Sequence, residues 1–304
     1  MKSVSIIGAG RLGASLGHAL ARKGYDIKGL SCRRLSSARE SARLIGRGKP
    51  TAGAVRAAAG AEILFLCVPD DSVAKTAALL AASSIDWRGR TVFHSSGLLP
   101  ARVLTPLREK GAFTASFHPI QTFARKEARP DLFKGIGYGL EGDPEALMTA
   151  GKIVRRLGGR ALFLAEADKP LYHAACVLCS GGTATLLGSA FALLESRGLG
   201  EKDAMKVLLP LAQRTLQNVK EIGVGPAVTG PFVRGDKRTV LEHLRALPAK
   251  GTWRDLYAAL GRRSLETAGK RDLSPKTIRA LRKILEDKCP PLPGGSRTSL
   301  SPAP

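Results

Sequence analysis

The chain has 304 residues, room for two domains of ~100–200 residues each. Hydrophobic residues make up 44% and charged residues 24%, which excludes wholesale disorder, a collagen-like chain and a polytopic membrane protein. Lys and Arg number 48 against 25 Asp and Glu, a formal charge of +23, and five irregularly spaced cysteines make no disulfide framework.

Strand-length apolar runs alternate with helical stretches through the first half. Ser3–Ile7 reads as a buried strand, 11–23 as a helix ended by Gly24, 25–30 as a second strand and 36–45 as a second helix. The run ILFLCV at 63–68 is apolar throughout, the mark of a strand covered on both faces. Asp70 is positioned to cap the helix that follows, through Ala82. Strand signals recur at 91–94, 112–117, 137–140 and 160–164. This alternation predicts an α/β domain with a Rossmann-type, doubly wound parallel sheet over residues 1–165.

From 166 to 288 the pattern is helical, with expected helices at 171–196, 201–221, 238–246, 253–267 and 275–287, so an all-α domain follows. The stretch 289–304 is rich in Pro, Gly and Ser and reads as a disordered tail. His173–Leu194 carries no formal charge, but Ser180, Gly181, Gly182, Thr183, Thr185, Gly188 and Ser189 interrupt it. The expectation is a buried helix with small-residue packing faces and not a membrane span. The apolar run near the N-terminus is too short for a signal peptide, and a reduced cytoplasmic setting is expected. Residues 1–50 hold eleven Lys/Arg against Asp26 and Glu40, a field that attracts anions. The alternative is a solvated basic surface. No zinc-finger, zipper or RNA-recognition signature accompanies the charge, so no nucleic-acid partner is expected.

Gly8-Ala9-Gly10-Arg11-Leu12-Gly13 matches G-x-G-x-x-G directly after a strand and at the opening of a helix. Gly8 permits the tight turn, Gly10 lets the backbone approach a diphosphate, and Gly13 allows close helix–strand packing. The end of the second strand selects the cofactor. An NAD site places an acid there for the ribose hydroxyls, whereas this chain reads Ser31-Cys32-Arg33-Arg34. Serine and two arginines suit a 2′-phosphate, so NADP(H) is expected. Val68, Pro69 and Asp70, after the third of these strands, are expected to border it. Asp70 also reads as a helix cap alone.

Four further motifs occur in order: His94-Ser95-Ser96-Gly97, His118-Pro119-Ile120-Gln121-Thr122-Phe123, Tyr172-His173-Ala174-Ala175 and Thr229-Gly230-Pro231 with Arg234-Gly235-Asp236. With the glycine turn and the VPDD turn at 68–71, they resemble the Rossmann-like proteins carrying domain of unknown function 2520. Those belong to the superfamily of 6-phosphogluconate, β-hydroxyacid, ketopantoate and pyrroline-5-carboxylate reductases. The resemblance spans about residues 2–287 and implies an NADP-binding domain, a helical domain that forms a homodimer, and predicted oxidoreductase activity. The chain departs from the Lys-x-x-x-Asn pair of better-understood superfamily members, because Lys169 is followed four residues on by His173. Gly181 lies where relatives tend to have Asn.

Hydride transfer needs alignment and a proton donor where negative charge develops. Lys169 and His173 are four apart and share a helix face, with Pro170 at a first helical position. Each cation would lower the pKa of the other. His118 ends a strand, and Ser95 and Ser96 end another, with Gly97 allowing close backbone approach. Lys169, His173, His118 and Ser96 are the candidate catalytic residues, with Ser95 beside the cofactor. The alternative readings are a solvated lysine and hydrogen-bonded histidines. Cys176 and Cys179 read as small apolar residues, with no metal expected. The expected function is an NADP(H)-dependent reductase of a small carbonyl or imine. A ketopantoate-type 2-oxo acid is the first named substrate and a cyclic imine the second. A non-catalytic NADP(H)-sensing dimer is the alternative.

Overall fold

The computed structural model describes residues 2–267 and 273–286. The tail expected at 289–304 lies outside them. Two compact units divide the chain, Met1–Gly182 and Thr183–Pro304. The boundary expected at 165/166 marks where the strands end. The first unit continues to Gly182 because the next helix anchors its Lys169 and Tyr172 on the sheet.

The first unit runs β1 (Ser3–Ile7), α1 (Arg11–Arg22), β2 (Asp26–Ser31), α2 (Leu35–Ile45), β3 (Lys49–Thr51), α3 (Ala54–Ala58), β4 (Ile63–Leu66), α4 (Asp70–Ala81) and β5 (Thr91–His94). It continues with α5 (Thr105–Arg108), β6 (Phe113–Pro119), β7 (Gly137–Gly142), α6 (Pro144–Leu157), β8 (Arg160–Phe163) and α7 (Lys169–Val177), then a π-helical turn at Leu178–Gly182. The eight strands lie in the order β3-β2-β1-β4-β5-β6-β7-β8. Short β3 and α3 were not legible in the sequence, since three strand residues carry no periodicity.

The sheet is mostly parallel, as a doubly wound fold requires, with one antiparallel seam. β7 pairs antiparallel with β6, His118 facing Gly139 and Ser116 facing Glu141. The connection 120–136 stays at one end of the sheet, so the chain returns beside β6 without a crossover; α6 then supplies the crossover that makes β8 parallel to β7. One face buries α1, α2 and α6 over Val4, Ile6, Leu16, Leu20 and Ile153. The other buries α3, α4 and α5 over Ile7, Leu64, Leu66, Val73 and Leu80. Phe65, Phe93, Phe117 and Tyr138 run across β4 to β7 with neighbouring ring centroids 5.0–5.5 Å apart. These side chains are buried, and at about 1.5–3 kcal/mol each they hold the strand ends in one plane.

The second unit contains α8 (Thr183–Glu195), α9 (Glu201–Ile222), α10 (Val224–Ala227), α11 (Pro231–Arg234), α12 (Lys237–Ala246), α13 (Trp253–Thr267) and α14 (Pro275–Glu286). Val240, Leu244, Ala258, Leu265, Leu281 and Leu285 form its core. Asp236 N-caps α12, its carboxylate accepting from the Thr239 amide at 3.0 Å.

The expectation of a buried helix over His173–Leu194 is corrected. Glu166–Glu195 is long and apolar enough to cross a membrane by length and composition, yet its apolar window is not buried within the chain. Leu171 is 78% and Leu178 74% exposed, and Cys179 is exposed as well. Periodicity marks which side of a helix is apolar but does not say what covers it.

Candidate active site

In the glycine turn, Gly8 has φ +86°, and an added Cβ would stand 2.4 Å from the Cys67 carbonyl oxygen. A Cβ on Gly13 would stand 2.4 Å from the Gly8 oxygen and 3.0 Å from Ile6, so this glycine seats α1 against β1. A Cβ on Gly10 would meet only the Gly8 oxygen, at 3.9 Å, leaving space where a diphosphate would lie. The Gly8 and Ala9 amides donate to the Ser31 carbonyl at 2.9 and 3.0 Å. The turn is thereby fixed to the strand end that carries the arginines.

A cleft of about 590 Å³ opens there, and Gly8, Gly10, Ser31, Arg33, Arg34, Val68 and Pro69 line it. Cys32, Ser37, Ser72 and Thr76 join them. Arg11, Leu12 and Gly13 are not on its wall. They form the first turn of α1, whose leading amides have no intrahelical acceptor and favour an anion. Open space over Gly10, these amides and two arginines fit an anionic dinucleotide.

Asp70 departs from both of its expected roles. Pro69 is the N-cap of α4 and makes no side-chain cap, and Asp71, not Asp70, lines the cleft. Consecutive residues in the first turn of a helix point about 100° apart, so only one of the two acids can face the cleft. The Asp70 carboxylate accepts instead from Ser96 Oγ at 2.8 Å. Ser96 Oγ also accepts from the Leu98 and Leu99 amides at 3.1 and 2.9 Å. Its one proton and both lone pairs are engaged, so Ser96 shapes the turn and has no proton to give a substrate. Ser95 Oγ donates to the Leu66 carbonyl at 3.3 Å and lies off the cleft wall.

Lys169 is neither solvated nor a surface proton donor. It is 1% exposed, and its Nζ donates to Ser116 Oγ at 2.6 Å and stands 3.9 Å from Glu141 Oε2. Burial pushes its pKa down, opposed by Glu141 and Asp70, so desolvation and not His173 is the cause. Glu141, absent from the sequence-based candidates, is buried beside it and accepts from the Ala101 amide at 2.7 Å. Burial raises its pKa, which the amide and Lys169 counter. Ser116 Oγ passes the contact on to the Ser96 carbonyl at 3.3 Å.

His118 and Tyr172 make a second pair, His118 Nδ1 to the Tyr172 hydroxyl at 2.6 Å. Gly139, opposite His118 on β7, makes room, since a Cβ there would stand 2.4 Å from that hydroxyl. Burial and the neighbouring Cys176 raise the Tyr172 pKa, so it keeps its proton. Burial, followed by His173 and Lys169, lowers His118 to about 4, so it is neutral near pH 7. We therefore assign the tyrosine hydroxyl as donor to Nδ1, which leaves the proton on His118 Nε2. Nε2 faces Gly97: a Cβ there would stand 3.0 Å from it and 2.6 Å from His173 Cδ2. His118, His173 and the Gly97 backbone thus converge. Tyr172 was missed because its i,i+1 neighbour His173 carried the sequence signal. The turn at Leu178–Gly182 leaves Gly181 with no heavy atom within 4 Å of a built Cβ.

The two buried histidines make stability pH-dependent. His94 accepts from the Ser96 amide at 3.2 Å, and burial, with Lys169 and His118, lowers it to about 3. Unfolded histidine titrates near 6.5, so below that pH the unfolded chain binds protons that the folded chain refuses. Stability is therefore full above pH ~6.5 and is lost as pH falls toward the folded values. Between pH 7 and 5, where most carboxylates stay ionised, the expected loss is on the order of 3 kcal/mol. Thermal melts should record this as a fall of several degrees; a Tm constant over that range would contradict it.

These features define a Rossmann-like protein with a glycine turn at the N-terminus of its first helix, followed by a helical unit. Residues 1–119 match the family described as a Rossmann-like domain, and residues 136–264 match domain of unknown function 2520. The chain thus carries a Rossmann-like domain in its first part and domain of unknown function 2520 in its second. No curated protein matches it significantly. Among solved structures, the candidate NADP oxidoreductase BF3122 from Bacteroides fragilis is 26% identical, with a TM-score of 0.73 over 87% of this chain and 98% of that one. Protein TM1727 from Thermotoga maritima is 24% identical, with a TM-score of 0.66 over 89% and 100%. A reductive aminase from Aspergillus terreus, solved with NADPH and ethyl levulinate, is 18% identical, with a TM-score of 0.57 over 94% and 93%. The last two demonstrate a shared fold. Among the described residues, no group of three or more His, Cys, Asp or Glu could hold a metal ion.

Proposed function

We propose that this chain is an NADP(H)-dependent reductase of a small carbonyl or imine compound. The observation that carries the reading is the pairing, in one unit, of the arginine-lined glycine cleft with the neutral His118–Tyr172 pair beside Gly97. Its likeness to a candidate NADP oxidoreductase supports it. The nicotinamide, when bound, supplies hydride to the substrate carbon. His118 Nε2–H would hydrogen-bond to the substrate oxygen or nitrogen and stabilise the negative charge that develops there, the Tyr172 hydroxyl holding that tautomer through Nδ1, and the proton that completes the reduction comes from solvent. Lys169, Ser116 and Glu141 are positioning residues that hold the Ser95–Gly97 turn beneath them. A ketopantoate-type 2-oxo acid is the first substrate to try and a cyclic imine the second.

The test is calorimetric titration with NADPH and NADH, followed by turnover of a 2-oxo acid and imine panel. NADPH binding at least tenfold tighter than NADH, with turnover that Tyr172→Phe lowers at unchanged NADPH affinity, is the expected result. Tight NADPH binding without turnover of any panel member would favour the sensing dimer. Absence of nucleotide binding would sink both readings.

The same sample tests the partner. Leu171 and Leu178 in the first unit, and Leu186, Val207, Leu211 and Leu216 in the second, are exposed apolar side chains. Apolar exposure on this scale in each unit marks interaction surfaces, and we assign a second copy of the chain to them. Light scattering should give twice the mass of one chain; a monomer would contradict the assignment.

A further inference from the structure

Lys126 lies in the connection between β6 and β7, far in sequence from the cofactor turn. Its Nζ donates to Glu40 Oε2 at 2.6 Å, to Ser37 Oγ at 3.0 Å and to the Ser37 carbonyl at 3.4 Å. The lysine is largely buried, with its side chain 16% exposed. One residue on, the Glu127 amide donates to Ser15 Oγ at 3.1 Å on α1. The connection is therefore pinned to both helices that follow the glycine turn and the arginine pair.

Ser37 lines the same cleft as Arg33 and Arg34. Its hydroxyl accepts from Lys126, and a hydroxyl that accepts is left with its own proton to donate. Glu40 follows Ser37 by three residues on α2, one turn further along the helix. Unpaired, its carboxylate would oppose a phosphate held by the two arginines. Lys126 cancels that charge and directs the serine.

We propose that Lys126 is a specificity-determining residue for the 2′-phosphate of NADP(H), through its contacts with Ser37 and Glu40. This rests on reading the arginine-lined cleft as the 2′-phosphate site. It assigns cofactor choice to a loop that follows β6, three strands along the sheet from β1, as well as to the second strand, where such choice is usually encoded.

The experiment is calorimetry on the full chain with NADPH, NADH, 2′,5′-ADP and 5′-AMP, for wild type, Lys126→Ala and Lys126→Ala with Glu40→Gln. Lys126→Ala should weaken NADPH and 2′,5′-ADP about tenfold and leave NADH and 5′-AMP within about twofold. Adding Glu40→Gln should restore at least half of the lost discrimination. Equal weakening of all four ligands, or undiminished discrimination in Lys126→Ala, overturns the proposal while the cleft reading stands. A wild-type protein that does not prefer NADPH and 2′,5′-ADP refutes the cleft reading itself. Lys126→Arg keeps the charge, so it should retain most of the preference; its loss there would count against charge cancellation.

Discussion

Arg33→Ala combined with Arg34→Ala is expected to weaken NADPH binding about 100-fold while leaving NADH within about twofold. Both arginines are exposed, line the cleft and, among the described residues, form no ion pair with a carboxylate. Their removal therefore costs the fold little, and the loss should fall on the ligand. A charged hydrogen bond contributes ~1.5–3 kcal/mol. Two on one phosphate share the same charge and do not add fully, so ~3 kcal/mol is the reasonable sum. NADH presents a hydroxyl at that position and gains little from a guanidinium. Calorimetry at fixed ionic strength measures the ratio; equal losses for both nucleotides would remove the 2′-phosphate from the cleft.

Lys169→Met is expected to lower stability by ~3–5 kcal/mol and turnover by at least ~100-fold. The stability loss arises because Glu141 stays buried without its cation, keeping only the Ala101 amide. At ~2–4 °C per kcal/mol, Tm should fall by about 10 °C. Adding Glu141→Gln removes the stranded charge and should recover most of the Tm. Turnover should not recover, because Ser116 would still lack the donor that orients it toward the Ser96 carbonyl. With that link lost, the Gly97 turn can shift beneath His118 and His173, and a displacement near 1 Å costs about 100-fold in rate. An unchanged Tm in the single variant would mean that the buried pair carries no net stability. Recovered turnover in the double variant would remove Lys169 from the site.

The elements legible in the sequence are those whose physics is local. A buried parallel strand must be apolar throughout, so 63–68 stood out. A strand-to-helix turn that approaches its neighbours to 2.4 Å of a built Cβ must use glycine, so Gly8 and Gly13 announced themselves. The arginines at 33 and 34 follow a strand end, where the Rossmann topology puts ligands whatever the rest of the chain does. Lys169, His118 and His173 were legible as residues but not in their roles, because a role depends on which way a side chain turns.

Only the tertiary structure decided those directions. It turned Asp70 toward Ser96 and left Asp71 in the cleft, since adjacent helical positions diverge. It returned β7 antiparallel to β6, which set Gly139 opposite His118 and opened the slot for Tyr172. It brought Glu141 to Lys169 from 28 positions upstream and Lys126 to Glu40 across 86. Composition and periodicity encode what each segment buries and bends, because those energies belong to neighbours along the chain. The partners of a buried charge are chosen by strand order and register, which no local pattern contains.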